Sequence, residues 1–145
     1  MVDVGAKAST EREAVAEAVL RFPAGILARV LAGGGPKGPV TEVARAAGIL
    51  AAKRTAELIP MCHPLGLDHV ELRFEPVEGD PDRLRITCRA SCQGRTGVEM
   101  EAMTGASVAA LTVYDMTKAA AKGIEVERLR LLRKTGGKSG VWVAE

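Results

Sequence analysis

His69-Val70-Glu71-Leu72-Arg73-Phe74-Glu75 and Leu84-Arg85-Ile86-Thr87-Cys88-Arg89-Ala90-Ser91-Cys92 decide the fold. In the first stretch Val70, Leu72 and Phe74 alternate with His69, Glu71, Arg73 and Glu75. In the second Leu84, Ile86, Cys88, Ala90 and Cys92 alternate with Arg85, Thr87, Arg89 and Ser91. A period of two sends successive side chains to opposite faces, so each stretch is a strand with one buried face. Pro76 to Asp82, with Gly79 inside it, is expected to make the hairpin loop.

Working outward toward the C-terminus, Gln93-Gly94-Arg95-Thr96-Gly97 breaks the second strand. Val98 to Ala102 alternates again and reads as extended. Thr104 or Ser107 can then cap a long alanine-rich helix that runs to about Ala121 and closes at Lys122-Gly123. Ile124, Val126, Leu129 and Leu131 suggest a last long strand with a slip near Arg128, and Trp142 sits in a short terminal strand. Toward the N-terminus, Pro39 can start a helix in which Val43, Ala44, Ala47, Leu50 and Ala51 recur at helical spacing, stopped by Pro60. Gly48 weakens that helix by about 1 kcal/mol unless its face packs closely. Pro23 opens a shorter helix that ends at Gly33-Gly34-Gly35. Thr10-Glu11-Arg12-Glu13 has the form of a capping box, which predicts a helix over Glu11 to Arg21. Met1 to Ser9 reads as an extended arm. Helices laid on an antiparallel sheet make an α+β sandwich.

Composition sets limits on function. The chain has 145 residues, enough for one domain with one core. Twenty basic against eighteen acidic side chains leave a net charge of +2, too mild to argue for nucleic acid. Phe22, Phe74, Tyr114 and Trp142 are its only aromatics, too few for base-stacking platforms. No apolar run approaches the ~18 residues of a membrane span, and three cysteines do not form a disulfide framework. A cytoplasmic protein that binds neither membrane nor nucleic acid is the expectation.

A few residues carry chemistry. Cys62-His63 lies in a loop held by Pro60 and Pro64, with no C-x-x-C partner for a metal. Cys88 and Cys92 on a strand stand ~13 Å apart and belong to the core. Glu99 and Glu101, two apart in an extended segment, would share one face and could act as a carboxylate pair. Asp115 and Lys118 share a face of a helix that is otherwise apolar, and such a helix is normally buried or at an interface. Gly136-Gly137-Lys138-Ser139 ends like a P-loop, but Leu132 stands where the motif requires glycine, so it is not one. With Arg133 and Lys134 it remains a basic glycine segment suited to phosphate, as do Lys37 among its glycines and Lys53-Arg54. A metal-dependent cyclohydrolase would need a ligand set that is not evident. A non-catalytic nucleotide-binding oligomer would explain the basic loops but not the Asp115–Lys118 pair.

Taken together, Met1-Val2-Asp3-Val4, Ala51-Ala52-Lys53-Arg54-Thr55, Leu58-Ile59-Pro60-Met61-Cys62-His63-Pro64-Leu65, Thr96-Gly97-Val98-Glu99-Met100-Glu101-Ala102, Leu111-Thr112-Val113-Tyr114-Asp115-Met116 and Gly136-Gly137-Lys138-Ser139-Gly140 resemble the cyclic pyranopterin monophosphate synthase family of molybdenum cofactor biosynthesis. The resemblance spans almost the whole chain. It implies a ferredoxin-like α+β domain over residues 1–145. It also implies a lyase reaction, in which 3′,8-cyclo-7,8-dihydroguanosine 5′-triphosphate becomes cyclic pyranopterin monophosphate and diphosphate leaves. By resemblance Asp115, Lys118 and Lys37 are catalytic. Met61, Cys62, His63, Met100, Glu101, Glu99, Arg12 and Lys134 bind substrate, with Asp3 nearby. Pro39 follows Lys37-Gly38 where many members carry Asp or Asn. The resemblance implies no metal and no cofactor, and a homohexamer built as a trimer of dimers with sites at dimer interfaces.

Overall fold

The computed structural model describes residues 1–145. Its elements in chain order are β1 (Thr10–Arg21), α1 (Ile26–Gly33), α2 (Val40–Lys53), α3 (Thr55–Leu58), β2 (His69–Val77), β3 (Asp80–Gly94), α4 (Glu99–Thr117), β4 (Glu125–Thr135) and β5 (Trp142–Val143). All strand pairs are antiparallel, in the order β2-β3-β1-β4-β5. The first four strands and the helices between them give a β-α-β-β-α-β path with order 4-1-3-2, the ferredoxin-like arrangement.

The central hairpin forms as its alternation requires, with Leu72, Leu84, Ile86, Cys88, Ala90 and Cys92 in the core. The expected Pro76–Asp82 loop shrinks to a tight turn at Glu78-Gly79, because Val77 already opposes Asp80 and Gly79 supplies φ +75°. Pro76 fits because β2 is an edge strand.

Residues 11–21 are the main correction, since they form a central strand rather than a helix. Ala14, Ala16, Ala18 and Leu20 point to the core, while Glu13, Val15, Glu17 and Val19 point to the opposite face. Alanine is a strong helix former, but helix propensity is worth less than about 1 kcal/mol per residue, and a position hydrogen-bonded on both edges outweighs it. Small side chains here also let α4 lie close over the sheet, where Ala102, Ala106, Ala109 and Ala110 are buried. The hydroxyl of Thr10 caps nothing. On the uncovered face the Glu17 carboxylate is 2% exposed because Arg85, Arg128 and Arg130 close around it at 3.1, 3.6 and 2.9 Å.

Residues 99–102 also differ from expectation, being the first turn of α4 rather than extended chain. Glu99 and Glu101 favour that turn because carboxylates complement the positive end of the helix dipole. Α4 ends at Thr117, short of Ala121. The helix expected from Pro39 to Pro60 divides at Arg54 into α2 and α3, with the Thr55 hydroxyl donating back to Ala52 O at 3.0 Å. Gly48 of α2 lies against Gly105 of α4, where a Cβ would meet Gly105 O at 2.9 Å and Leu72 Cδ2 at 2.6 Å. The slip near Arg128 is a bulge: Leu20 opposes Val126, Val19 opposes Arg128, and Glu127 is left over.

Candidate functional site

Two cavities meet at the N-terminal end of α4. The first, about 340 Å³, is lined by Val2, Met61, Cys62, His63, Leu65, Met100 and Glu101 and closed by Thr96, Gly97 and Glu99. Its apolar thioethers suit a flat ring, and its carboxylates can accept from ring N–H groups. The second, about 680 Å³, shares Thr96, Gly97 and Glu99 as its wall and is otherwise cationic, with Lys7, Arg12, Arg95, Lys134 and Lys138 around it. Glu99 is the carboxylate common to both.

The local chain explains each placement. The prolines at 60 and 64 hold Met61-Cys62-His63 in a loop beside the start of α4. His63 Nε2 donates to Val2 O at 2.8 Å, which lays the N-terminal arm across the smaller cavity. Arg12 leaves β1 toward the helix side and donates to Gly94 O at 3.3 Å. The 136–137 turn passes directly over it, with Gly136 at φ +98° and Gly137 at φ +70°. A Cβ on Gly137 would lie 2.0 Å from Arg12 Nη1, so a side chain there would push the guanidinium aside, and φ +70° favours glycine as well. Lys134 on β4 donates to Glu99 Oε1 at 2.8 Å.

Glu99 and Glu101 do not share a face, because two positions on a helix diverge. Burial pushes the Glu99 carboxyl up, but the hydrogen bond and charge of Lys134, with Arg12 beyond, overcome that and hold it below the usual range. Glu101 is 4% exposed and has no cationic partner. Burial raises its pKa, and Glu99 adds to the effect. Burial, then Glu101, likewise raises the Cys62 thiol.

Asp115 lies elsewhere. Its carboxylate accepts from Lys37 Nζ at 2.6 Å and pairs with Lys118 Nζ at 2.7 Å. The loop before α2 thus delivers Lys37 to the same carboxylate as Lys118, on one chain, where the sequence left open that the two lysines sit on different subunits. The hydrogen bonds from Lys118 and then Lys37 hold the Asp115 carboxyl at about 2, and Asp115 in turn raises Lys118. The pair is not buried, however, with side chains 51% and 55% exposed. The buried face of α4 runs through Ala102, Ala106, Ala109, Val113 and Met116, and Asp115 and Lys118 fall outside it. From Glu99 to Asp115 is about 24 Å of helix at 1.5 Å per residue. One chain therefore carries two clusters at opposite ends of α4.

Other expectations divide in the same way. Met61, Cys62, His63, Met100, Glu99, Glu101, Arg12 and Lys134 come together around the paired cavities. The three basic segments do not pool: Lys138 joins the cationic cavity, Lys37 joins Asp115, and Lys53-Arg54 line a separate space of about 100 Å³ behind Glu101. Asp3 is exposed and accepts from Gly5 N at 2.8 Å. Thr10, Lys7, Arg95 and Thr96, none of them a candidate binding residue from sequence, also line the cationic cavity. The glycines flanking Arg95-Thr96 were the available signal. No group of three or more His, Cys, Asp or Glu side chains converges to hold a metal, and no helix is long and apolar enough to cross a membrane.

Known proteins resemble the chain along nearly its full length. The profile of the MoaC family matches residues 1–137. Proteins named cyclic pyranopterin monophosphate synthase from Brucella ovis, Brucella melitensis biotype 2 and Brucella abortus strain 2308 are each 54% identical over 142 residues. That alignment covers 98% of this chain and 86% of each relative.

Proposed function

The chain belongs to the MoaC family, and we propose that the paired cavities are where it converts 3′,8-cyclo-7,8-dihydroguanosine 5′-triphosphate to cyclic pyranopterin monophosphate and diphosphate, acting as a lyase of molybdenum cofactor biosynthesis. One observation carries the assignment of the site: an apolar, carboxylate-edged cavity the size of a fused ring shares its Thr96-Gly97 and Glu99 wall with a cationic one the size of a polyphosphate. The purine half of the substrate lies against Met61 and Met100, with Glu99 or Glu101 gripping its amino and N–H edge. The triphosphate lies among Arg12, Lys134 and Lys138, which offset its charge and that of the departing diphosphate. His63 exchanges its bond to Val2 O for one to a sugar or phosphate oxygen. Cys62 is a neighbour of the ring rather than a nucleophile, since its raised thiol is little ionised near neutrality.

Lys118 acts as the proton donor during opening of the purine. Asp115 keeps it charged, and Lys37 completes the cluster. This cluster reaches the substrate of a neighbouring subunit. Met100, Met103, Ser107, Leu111 and Tyr114 form an outward stripe on α4, with Leu111 58% and Tyr114 40% exposed. A second copy packed antiparallel on that stripe, with its two-fold near Val108, lays each Asp115–Lys118 end beside the other chain's Glu99 end. Three such dimers make the homohexamer. The whole 145-residue chain acts as one catalytic domain in the cytoplasm, beside its nucleotide supply. Incubation with the cyclised GTP substrate tests the reading: it should yield a pterin chromophore and one diphosphate per turnover, and wild-type turnover by Lys118→Ala would remove the central role given to that lysine.

A further inference from the structure

Thr10 opens β1 and lines the cationic cavity beside Lys7, Arg12, Lys134 and Lys138. Its Oγ1 is sealed from solvent and has no hydrogen-bond partner. An unpaired buried hydroxyl gives up the bond that water would otherwise supply, and native proteins keep few such groups without a use. The residue is not wholly buried, and it is part of the cavity lining. A turn of about 120° around Cα–Cβ moves the oxygen between staggered positions and can bring it into the cavity.

We propose that Thr10 is a diphosphate-binding residue of this site, its hydroxyl turning into the cavity to donate to a phosphate oxygen when the polyphosphate tail enters. The inference rests on the assignment of the cationic cavity to that tail. Its surroundings favour a phosphate over the ring. Five cationic side chains share the cavity, and its only carboxylate, Glu99, stands on the wall toward the ring and is already bonded to Lys134. A hydroxyl beside bound phosphate serves as a donor, and a donor to an anion makes one of the stronger hydrogen bonds. The orphaned oxygen in the empty site and its pairing in the filled one then have a single cause. Before ligand arrives no donor or acceptor of the cavity lies within hydrogen-bond distance of the hydroxyl.

Calorimetric titration with inorganic diphosphate tests this on the whole protein. Thr10→Val keeps the shape and removes the hydroxyl. It should weaken diphosphate about tenfold and raise KM by a similar factor, while the unliganded variant melts at or above the wild-type temperature. Thr10→Ser restores the donor and should bind within about twofold of wild type. Valine and wild type binding diphosphate equally would overturn the role of Thr10 and leave the cavity assignment standing. Wild type failing to bind diphosphate would overturn both.

Discussion

Glu99 and Glu101 stand two positions apart in the first turn of α4, and their surroundings move them in opposite directions. Lys134 and Arg12 keep Glu99 ionised, while burial without a cation favours the protonated form of Glu101. Two carboxyls separated in this way can divide the work, one gripping a cationic or N–H edge and the other lending a proton. A raised folded-state pKa contributes stability that is fully present below the unfolded value of 4.5. That contribution is lost as pH rises through the folded value. Glu101→Gln, which carries no charge at any pH, should therefore be more stable than wild type at pH 8 by about 1 kcal/mol. The difference should fade toward pH 4, and melting curves across that range check it. Turnover should fall sharply although stability rises. At the other end of α4, Asp115 is held at about 2 and stays ionised through the working range. It raises Lys118, so Asp115→Asn lets the lysine lose its proton at lower pH. The alkaline limb of the pH–rate profile should move down with it, and kcat should drop about 100-fold.

At the scale of elements, the hairpin and the β4 slip were legible because their apolar periods are unambiguous, and β1 was not. Its stretch satisfies two patterns at once. Glu13, Val15, Glu17 and Val19 alternate with alanines, yet alanine is also the best helix former, and Thr10 to Glu13 imitates a capping box. What decides is outside the segment, since both β3 and β4 offer hydrogen-bonding edges to it. The site was legible in its residue types more than in its geometry. Glu99 and Glu101 were visible as a pair, but the helix that separates them was not. Gly48 was legible as a position that needs close packing, whereas the close approach of Gly137 to Arg12 was not. Gly48→Ala pushes a methyl into Gly105 O and Leu72, and should cost about 1–3 kcal/mol by prising α2 from α4, as denaturant titration would report. Gly137→Ala acts on function instead, because its Cβ displaces the Arg12 guanidinium. KM should rise at least about tenfold. Gly140, at φ +62° with open space around it, is the control: alanine there adds backbone strain but should leave KM near wild type.

For the whole molecule, the separation along α4 favours the proposed shared site over a single-chain one. Lys37 and Lys118 meet on one Asp115, so they travel together on one subunit. Glu99, Lys134 and Arg12 travel together about 24 Å away. Neither cluster can reach the other without unwinding the helix between them, and that helix is packed against α2 and the sheet along its length. The proposed two-fold antiparallel contact would resolve this and would make two composite sites per dimer. The consequence can be measured by mixing variants broken at opposite ends. Lys118→Ala and Lys134→Ala dimers should each be nearly inactive. After dissociation and random reassociation, half of the dimers carry one of each chain. In each of these, one site collects both lesions and the other collects none. Recovery of about a quarter of wild-type turnover is the expected result. Mixing Lys37→Ala with Lys118→Ala should recover nothing, because both lesions fall on the same cluster. A quarter-activity signal from the first mixture with silence from the second fixes which ends of α4 face one another. Silence from both would mean that each chain closes its own site by a rearrangement of α4.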